Sequence, residues 1–507
     1  MPTVMAQPDA TAVRTAERVV DASGLAASLE QRVDAHRQRP GRPRELTMRN
    51  FLVGMYLVAT SGTLHLTRIA PTLNGLPTGT RRRLGLVRTG GVTQRQVQRL
   101  FATICAAVRA DGIRALDDIF DALCDATQPD EAAGVTSIAI DATDIEAWGR
   151  RRGLRSGLPS SDPDARWRGT QQAKSTWKNP LFGYDLTAAV TIPDQVGADV
   201  PLVARRVRLR PAAQDVIATG LNLIAAVTVM QGGLGDVVAD RAYSRRHDGT
   251  DFALPVRALG GEPVFGLRAD QLGVRGTAHG ALIIDGAPFS PSVPANLRNI
   301  TPPPVGATIA DIITYQQQVA KRAQYALVAH GKRNHNGDAD YRCPAAAGKL
   351  RCPLVPGSMT VAMTIPTALT PPATADKGTV CAQATKRFAA TDIPLAQQDL
   401  FGTREWYASW NRRNRVEGFF GNIKDEARES LRRGIVRVRT KEKVGFWLAF
   451  AVAAANVRLT AAFRRRPVAT PPARKTGRPR KPGLAAYLPT GVATSPGGAN
   501  APPGHAA

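Results

Sequence analysis

The apolar positions along this chain change period several times, and each change marks a region. From residue 46 to about 129 the spacing is helical: residues 48–58 read as a buried helix, 64–69 continue the pattern, and a basic loop follows with Arg81, Arg82 and Arg83. Thr93 and Gln96 have the spacing of a capping box, in which an N-terminal hydroxyl and a side chain three residues on satisfy free backbone donors. The helix predicted after them puts Val97, Leu100, Phe101 and Ile104 on one side, and Arg95, Gln98 and Arg99 on the other. From 135 to 243 short strand-like runs take over, at 137–141, 182–192, 202–209 and 235–240, with an apolar helix over 212–230 before the last. Three strands, a helix and a further strand make an α/β unit. Residues 244–400 are rich in Gly and Pro, with short runs at 262–267, 281–286, 325–329 and 359–365, and are expected to form a β-rich insertion. Residues 401–463 return to helical spacing.

The two ends differ from this middle. Residues 1–45 are polar and rich in Ala and Arg, and read as a basic N-terminal arm with a helix over 25–37. A Gly-Arg-Pro core at 41–43 fits either a turn that ends that helix or an extended segment whose arginines enter a narrow minor groove. The tail, 464–507, has the composition of a disordered basic segment, and no Asp or Glu occurs after Glu442. It repeats the Gly-Arg-Pro core, with Arg478 and Arg480 as candidate DNA contacts or as part of a generic polybasic tail.

The formal charge of +26 on 507 residues calls for a polyanionic partner, and nucleic acid is the default. The start lacks a basic segment followed by an apolar run, so no secretory signal is expected. The longest apolar run, 446–455, is too short for a bilayer, which needs about 20 residues. A cytoplasmic, nucleoid-associated protein with no membrane partner is the expectation. Five cysteines in so long a chain argue against a disulfide framework. Cys343, Cys352 and Cys381 share the insertion with His330 and His335, but their spacing lacks a tight Cys-x2-Cys knuckle, so zinc is not expected.

The candidate chemistry is acidic. Two strand-like runs end in Asp141 and Asp240, 99 residues apart, and adjacent central strands would bring those carboxylates together. A third carboxylate, Glu417, lies in the motif Trp410-x2-Arg413-x3-Glu417-x6-Lys424, whose spacings of four and seven return Arg413, Glu417 and Lys424 to one helix face. Carboxylates converging at one end of a sheet are what Mg2+ catalysis on phosphodiesters requires. Asp144 and Glu146 are local rivals of Asp141, but a residue three positions along a strand points to the opposite face. Taken singly, an Asp after a strand is also a common turn former, and the basic helix also reads as a solvated face.

The ordered set resembles the DDE-type insertion-sequence transposases of the YREK-motif group. The resemblance rests on Asp141-Ala-Thr, Asp240-Arg-Ala-Tyr243 and the motif from Trp410 to Lys424, and covers 135–458. It implies an RNase H-like catalytic core, its first part at 135–243 and its C-terminal helices at 401–463, interrupted by the insertion at 244–400. By the same resemblance Asp141, Asp240 and Glu417 are the catalytic and metal-binding triad, holding two Mg2+ ions for which Mn2+ can substitute. Arg413 and Lys424 would hold DNA phosphates, and Tyr243, in the motif after the second Asp, would be a further DNA contact. The family's Tyr is Trp410 here; its indole donates but does not accept, and it could stack on an unpaired base. Residues 46–130 are the candidate DNA-binding helical domain, with Arg95 and Arg99 at the start of a groove-reading helix. The expected activity is metal-dependent cleavage and transfer of transposon-end strands into target DNA, by a homodimer in the synaptic complex. A catalytically inactive DNA-binding protein and a structure-specific nuclease on the same fold are the alternatives.

Overall fold

The structure is a computed structural model that describes residues 7–37, 44–86, 90–149, 160–172, 176–304, 306–334, 336–369, 371, 378–425, 428–431 and 434–466. The chain is mixed α/β. It begins with helices α1 (Ala10–Ala22), α2 (Leu25–Ala35), α3 (Met48–Thr60), α4 (Ile69–Asn74), α5 (Thr78–Arg83), α6 (Gln94–Ala110) and α7 (Ile113–Asp125). Strands β1 (Ile138–Glu146), β2 (Arg166–Gln172), β3 (Thr176–Thr191) and β4 (Ala204–Pro211) follow, then α8 (Val216–Gln231), β5 (Asp236–Ala239), α9 (Ala253–Ala258) and β6 (Glu262–Phe265). Next come β7 (Val274–Ala278), β8 (Ala281–Ile284), β9 (Ala287–Phe289), α10 (Ala295–Arg298), α11 (Ile309–Ala323), β10 (Val328–His330), β11 (Ala339–Arg342) and β12 (Thr385–Phe388). Helices α12 (Arg404–Trp410), α13 (Asn414–Lys424) and α14 (Lys441–Arg464) close the described chain.

The main sheet runs β4-β3-β1-β5-β6, with β2 pairing the first half of β3 on the edge whose second half carries β4. β3 is antiparallel to β1 and β4, whereas β5 is parallel to β1 and β6 parallel to β5. Alternation along β1 sorts the two faces: Ile138 and Ile140 join a core with Leu223, Ile224 and Val227 of α8, while Ala139 and Ile145 join the core beneath α13 and α14. β6 therefore belongs to this sheet, although its residues fall in the stretch expected to be an insertion.

The N-terminal arm is folded where it is described. Asp9 caps α1 by accepting from the backbone N–H of Ala12, at 2.7 Å. Val13, Ala16, Val19 and Val20 of α1 and Leu25, Leu29 and Val33 of α2 are buried. They enter the same apolar cluster as α3, α6, α7, α14 and one face of the sheet, so the expected boundary near 130 does not divide the core. The 38–43 segment, with its first Gly-Arg-Pro core, lies outside the described residues.

α14 holds this arrangement together. It has 24 residues and is apolar enough by composition to cross a membrane, the only such helix among the described residues, yet 72% of its apolar window is buried inside the protein. The apolar run at 446–455 is thus part of a longer helix than its length implied. Asn456, fully buried, pairs with β4 as a strand would: its Oδ1 accepts from the N–H of Ala204 (2.9 Å) and its Nδ2 donates to the carbonyl (3.0 Å).

A ladder of ion pairs fixes α7 against β4. Arg206, Arg208 and Arg210 alternate on one face of the strand and each bridges a carboxylate four residues from the next on the helix: Asp125 at 2.6 Å, Asp121 at 2.6 Å and Asp117 at 2.7 Å. The spacings agree because two strand residues advance about 6.6 Å and four helical residues about 6 Å. Each guanidinium makes a second bond to the other oxygen of its partner.

The 244–400 stretch is not mostly β beyond β6. It holds two three-stranded sheets, β7-β8-β9 and β10-β11-β12; α10 and the 15-residue α11 pack against the first, while α9 joins the core of the main sheet with β5 and β6. The run at 359–365 is no strand; a 310 turn, Pro356–Thr360, occupies its start.

Candidate active site

The site is built on a register. Ile138 pairs with Val237 and Ala139 with Val238, an offset of 99 residues (237 − 138), and continuing it sets Asp240 beside Asp141. Parallel partners project to one face about 4.8 Å apart, here the face covered by α13 and α14 rather than α8. Asp141 is not at the end of its strand: β1 runs on to Glu146, paired with β3 throughout. Asp240 does follow the last residue of β5, and its Oδ1 accepts from the N–H of Ala242 at 2.5 Å, which turns the chain away from the sheet. Asp144 pairs across to Asp185 on the opposite face and meets Arg168, as the odd spacing required.

The third carboxylate comes from α13. This helix buries Val416, Phe419, Phe420 and Ile423 against the sheet and presents Glu417 beside β1, with Arg413 at the end of the 310 turn just before it. Two arginines that the motif does not include anchor it. Arg412, buried in the 310 turn that joins α12 to α13, pairs with Asp236 at the start of β5 and donates to the carbonyl of Pro193 at 2.9 Å. Arg415 donates to the carbonyls of Thr191 (3.0 Å) and Val200 (2.7 Å). The sequence signal for them was only their place in a basic run; which arginine faces the framework depends on tertiary contact.

Arg413 joins the acids. Its Nη1 lies 3.1 Å from Asp141 Oδ2 and its Nη2 lies 2.5 Å from Glu417 Oε1, while its Nε is buried without a partner. The N–H of Ala142 donates to the other oxygen of Asp141 at 2.8 Å. Burial pushes the Asp141 carboxyl up to about 6; Ala142 and Arg413 pull it down, and the charges of Asp240 and Glu417 push it further up. The three acids thus share one electrostatic environment. Hard carboxylate oxygens on one face have the chemistry for Mg2+ or Mn2+. As the side chains stand, however, they do not form a ligand set: among the described residues no group of three or more His, Cys, Asp or Glu is gathered to hold a metal. The guanidinium of Arg413 occupies the space between Asp141 and Glu417.

The remaining predicted residues divide. Lys424, half-buried at the end of α13, lines an open cleft with Asp144, Ile145 and Glu146, and burial lowers its ammonium pKa. Arg95 and Arg99 are exposed on the outer face of α6, whose capping box forms between Thr93 and Gln96. Trp410 is not free to stack on a base with its whole ring: it stacks on Trp406 at 5.3 Å, and the Arg413 guanidinium lies 5.5 Å from its centroid. Its indole N–H is buried without a partner. Trp406 is committed to Gln397, and Tyr407 is largely buried. Tyr243 is 2% exposed and packs with Phe252 behind the sheet, so it does not offer its ring to DNA. Room for it comes from Gly220 of α8, where a Cβ would stand 2.6 Å from the ring. Arg478 and Arg480 lie outside the described residues, as does His335. The cysteines are free thiols, and burial pushes Cys381 up to about 11, with Cys343 and Cys352 adding to it.

The chain matches no family model, and no curated protein matches it either.

Proposed function

We propose that this protein is a DNA transposase of the DDE insertion-sequence type, cutting a phosphodiester at a transposon end and joining the freed 3′-OH to target DNA. The observation that carries the proposal is the 99-residue register that sets Asp141 beside Asp240, with Glu417 delivered to the same place by a helix. The order β4-β3-β1-β5-β6, with three antiparallel strands followed by a helix and a parallel pair, supports an RNase H-like core. The charge of +26 supports a nucleic-acid partner.

In this proposal Asp141, Asp240 and Glu417 bind two Mg2+ ions, with Mn2+ able to replace them. Such ions supply an activated attacking oxygen and a stabilised leaving oxygen. The side chains of this protein position the DNA. Arg413 has the planar fork that grips a phosphate bidentately, and Lys424 adds a point charge about three helical turns along the same face. Arg95 and Arg99 give a second basic surface for the terminal inverted repeats. The active form is a homodimer that pairs two ends, at the nucleoid in the cytoplasm. Its N-terminal helices belong to end binding.

The test uses labelled duplexes from the ends flanking the gene, with Mg2+ or Mn2+, and compares wild type with Asp141→Asn and Glu417→Gln. Nicking and joining by wild type, lost in both variants while DNA binding persists, is the expected result. Variants that cut as well as wild type refute the triad. DNA binding without any cutting favours an inactive DNA-binding protein, and cutting without joining favours a nuclease.

A further inference from the structure

The position of Arg413 raises a question that the carboxylate triad alone does not answer. A residue expected to grip DNA is bonded to two of the three acids, through Nη1 to Asp141 Oδ2 at 3.1 Å and through Nη2 to Glu417 Oε1 at 2.5 Å. Those are oxygens a divalent ion would need. A guanidinium and a dication cannot share them, because like charges a few ångströms apart repel strongly where burial limits screening. We propose that Arg413 is a shutter: it neutralises Asp141 and Glu417 in the DNA-free protein, and a DNA phosphate draws it off so that the acids become available to metal.

This rests on the phosphodiester-cleaving proposal above and adds its regulation. The side chain has the means to move between two anions. It leaves from the 310 turn between α12 and α13, where Arg412 and not Arg413 secures the backbone to β5. Its guanidinium lies near the face of Trp410, an apolar surface along which a planar cation can slide. Its Nε makes no bond in the bridged position, so one donor of the fork remains to be satisfied elsewhere. A phosphate presents the same bidentate geometry as a carboxylate. By linkage, whatever DNA does for metal affinity, metal does for DNA affinity.

The experiment is an Mn2+ titration of the full chain, reading free Mn2+ by electron paramagnetic resonance, for wild type, Arg413→Gln and Arg413→Lys. Without DNA, Arg413→Gln is expected to bind Mn2+ on the order of tenfold or more tighter than wild type. Arg413→Lys should fall between, because one ammonium does not span both oxygens as a fork does. Duplex DNA from the gene's flanks, corrected for Mn2+ held by DNA alone, should tighten wild type toward the Arg413→Gln value and leave Arg413→Gln nearly unchanged. If Arg413→Gln binds no tighter than wild type while Asp141→Asn still weakens wild type, the shutter is refuted and the carboxylate site stands. If adding Asp141→Asn to Arg413→Gln leaves Mn2+ binding untouched, the ion lies elsewhere and the carboxylate proposal fails with it. Equal tightening by DNA in both proteins refutes the coupling.

Discussion

Two of the places where arginine meets aspartate on the main sheet differ in their counts. Along β4 and α7, Arg206, Arg208 and Arg210 meet an equal number of carboxylates, Asp125, Asp121 and Asp117, each main pair with two bonds and the neighbouring rungs joined at 3.5 Å. Beside β1, a single arginine is divided between Asp141 and Glu417, and Asp240 adds a third negative charge. The ladder is balanced and joins elements that must stay together. The site has more negative charge than Arg413 cancels, so it remains attractive to cations. Burial alone does not separate them, since it raises the pKa of Asp121 as it does that of Asp141. The ratio of charges does.

If this contrast is right, substitutions at the two places fail in different ways. Arg208, whose side chain is 4% exposed, is held between Asp121 and Asn222. Arg208→Ala leaves Asp121 only Arg206, at 3.5 Å, and urea unfolding should show a loss of about 3 kcal/mol. Asp240→Asn should lower DNA cleavage by on the order of 10²–10³-fold without lowering stability, because it removes a like charge from a crowded site. A stable Arg208→Ala, or an Asp240→Asn that unfolds easily, would erase the distinction between framework and site.

The pH dependence sharpens it. Asp141 has its folded pKa raised from 3.8 to about 6. The folded state therefore binds this proton more tightly than the unfolded chain, and stability is lost as pH rises from about 4 to about 6, by at most about 3 kcal/mol. Asn carries no such proton. The stability of Asp141→Asn relative to wild type should rise across that window and level off above it, as read by urea midpoints at several pH values. Parallel curves would mean that Asp141 ionises as an ordinary carboxylate and that the acids do not crowd one another.

What the sequence made legible follows the range of the interactions involved. Strands at 182–192 and 235–240 and the apolar helix at 212–230 correspond to β3, β5 and α8 because period and composition are local properties. The juxtaposition of Asp141 and Asp240 was readable as well, since two short apolar runs ending in carboxylates are natural neighbours in a sheet. The ladder was half legible: its arginines alternate and its aspartates recur every fourth residue, yet nothing in either run names the other. α1 was missed because its apolar positions are mostly Ala and Val set among charges, and only burial under α3 distinguishes it from a solvated arm. β6 was assigned to the insertion because its four residues carry no mark of the strand they pair with. The bridge by Arg413 was hidden for the same reason, because helical spacing aligns it with Glu417 but not with Asp141.

Tyr243 gives the smallest and most local test. Its motif position implied contact with DNA, whereas its hydroxyl is buried without a partner and its ring fills the space left by Gly220. Burial drives its pKa up, and the charges of Asp141, Asp240 and Asp185 add to this, so the phenol stays protonated. A buried hydroxyl with no acceptor costs about 1–3 kcal/mol relative to an apolar replacement of the same shape. Tyr243→Phe should therefore leave stability unchanged or raise it by about 1 kcal/mol, with DNA affinity unaltered. Gly220→Ala, which drives a methyl into the ring, should destabilise where Tyr243→Phe does not, because the clash involves the ring carbons that both residues share. If Tyr243→Phe instead weakens DNA binding at constant stability, the hydroxyl reaches the nucleic acid, and the division between the charged face proposed to meet DNA and an apolar back that supports it fails at this residue.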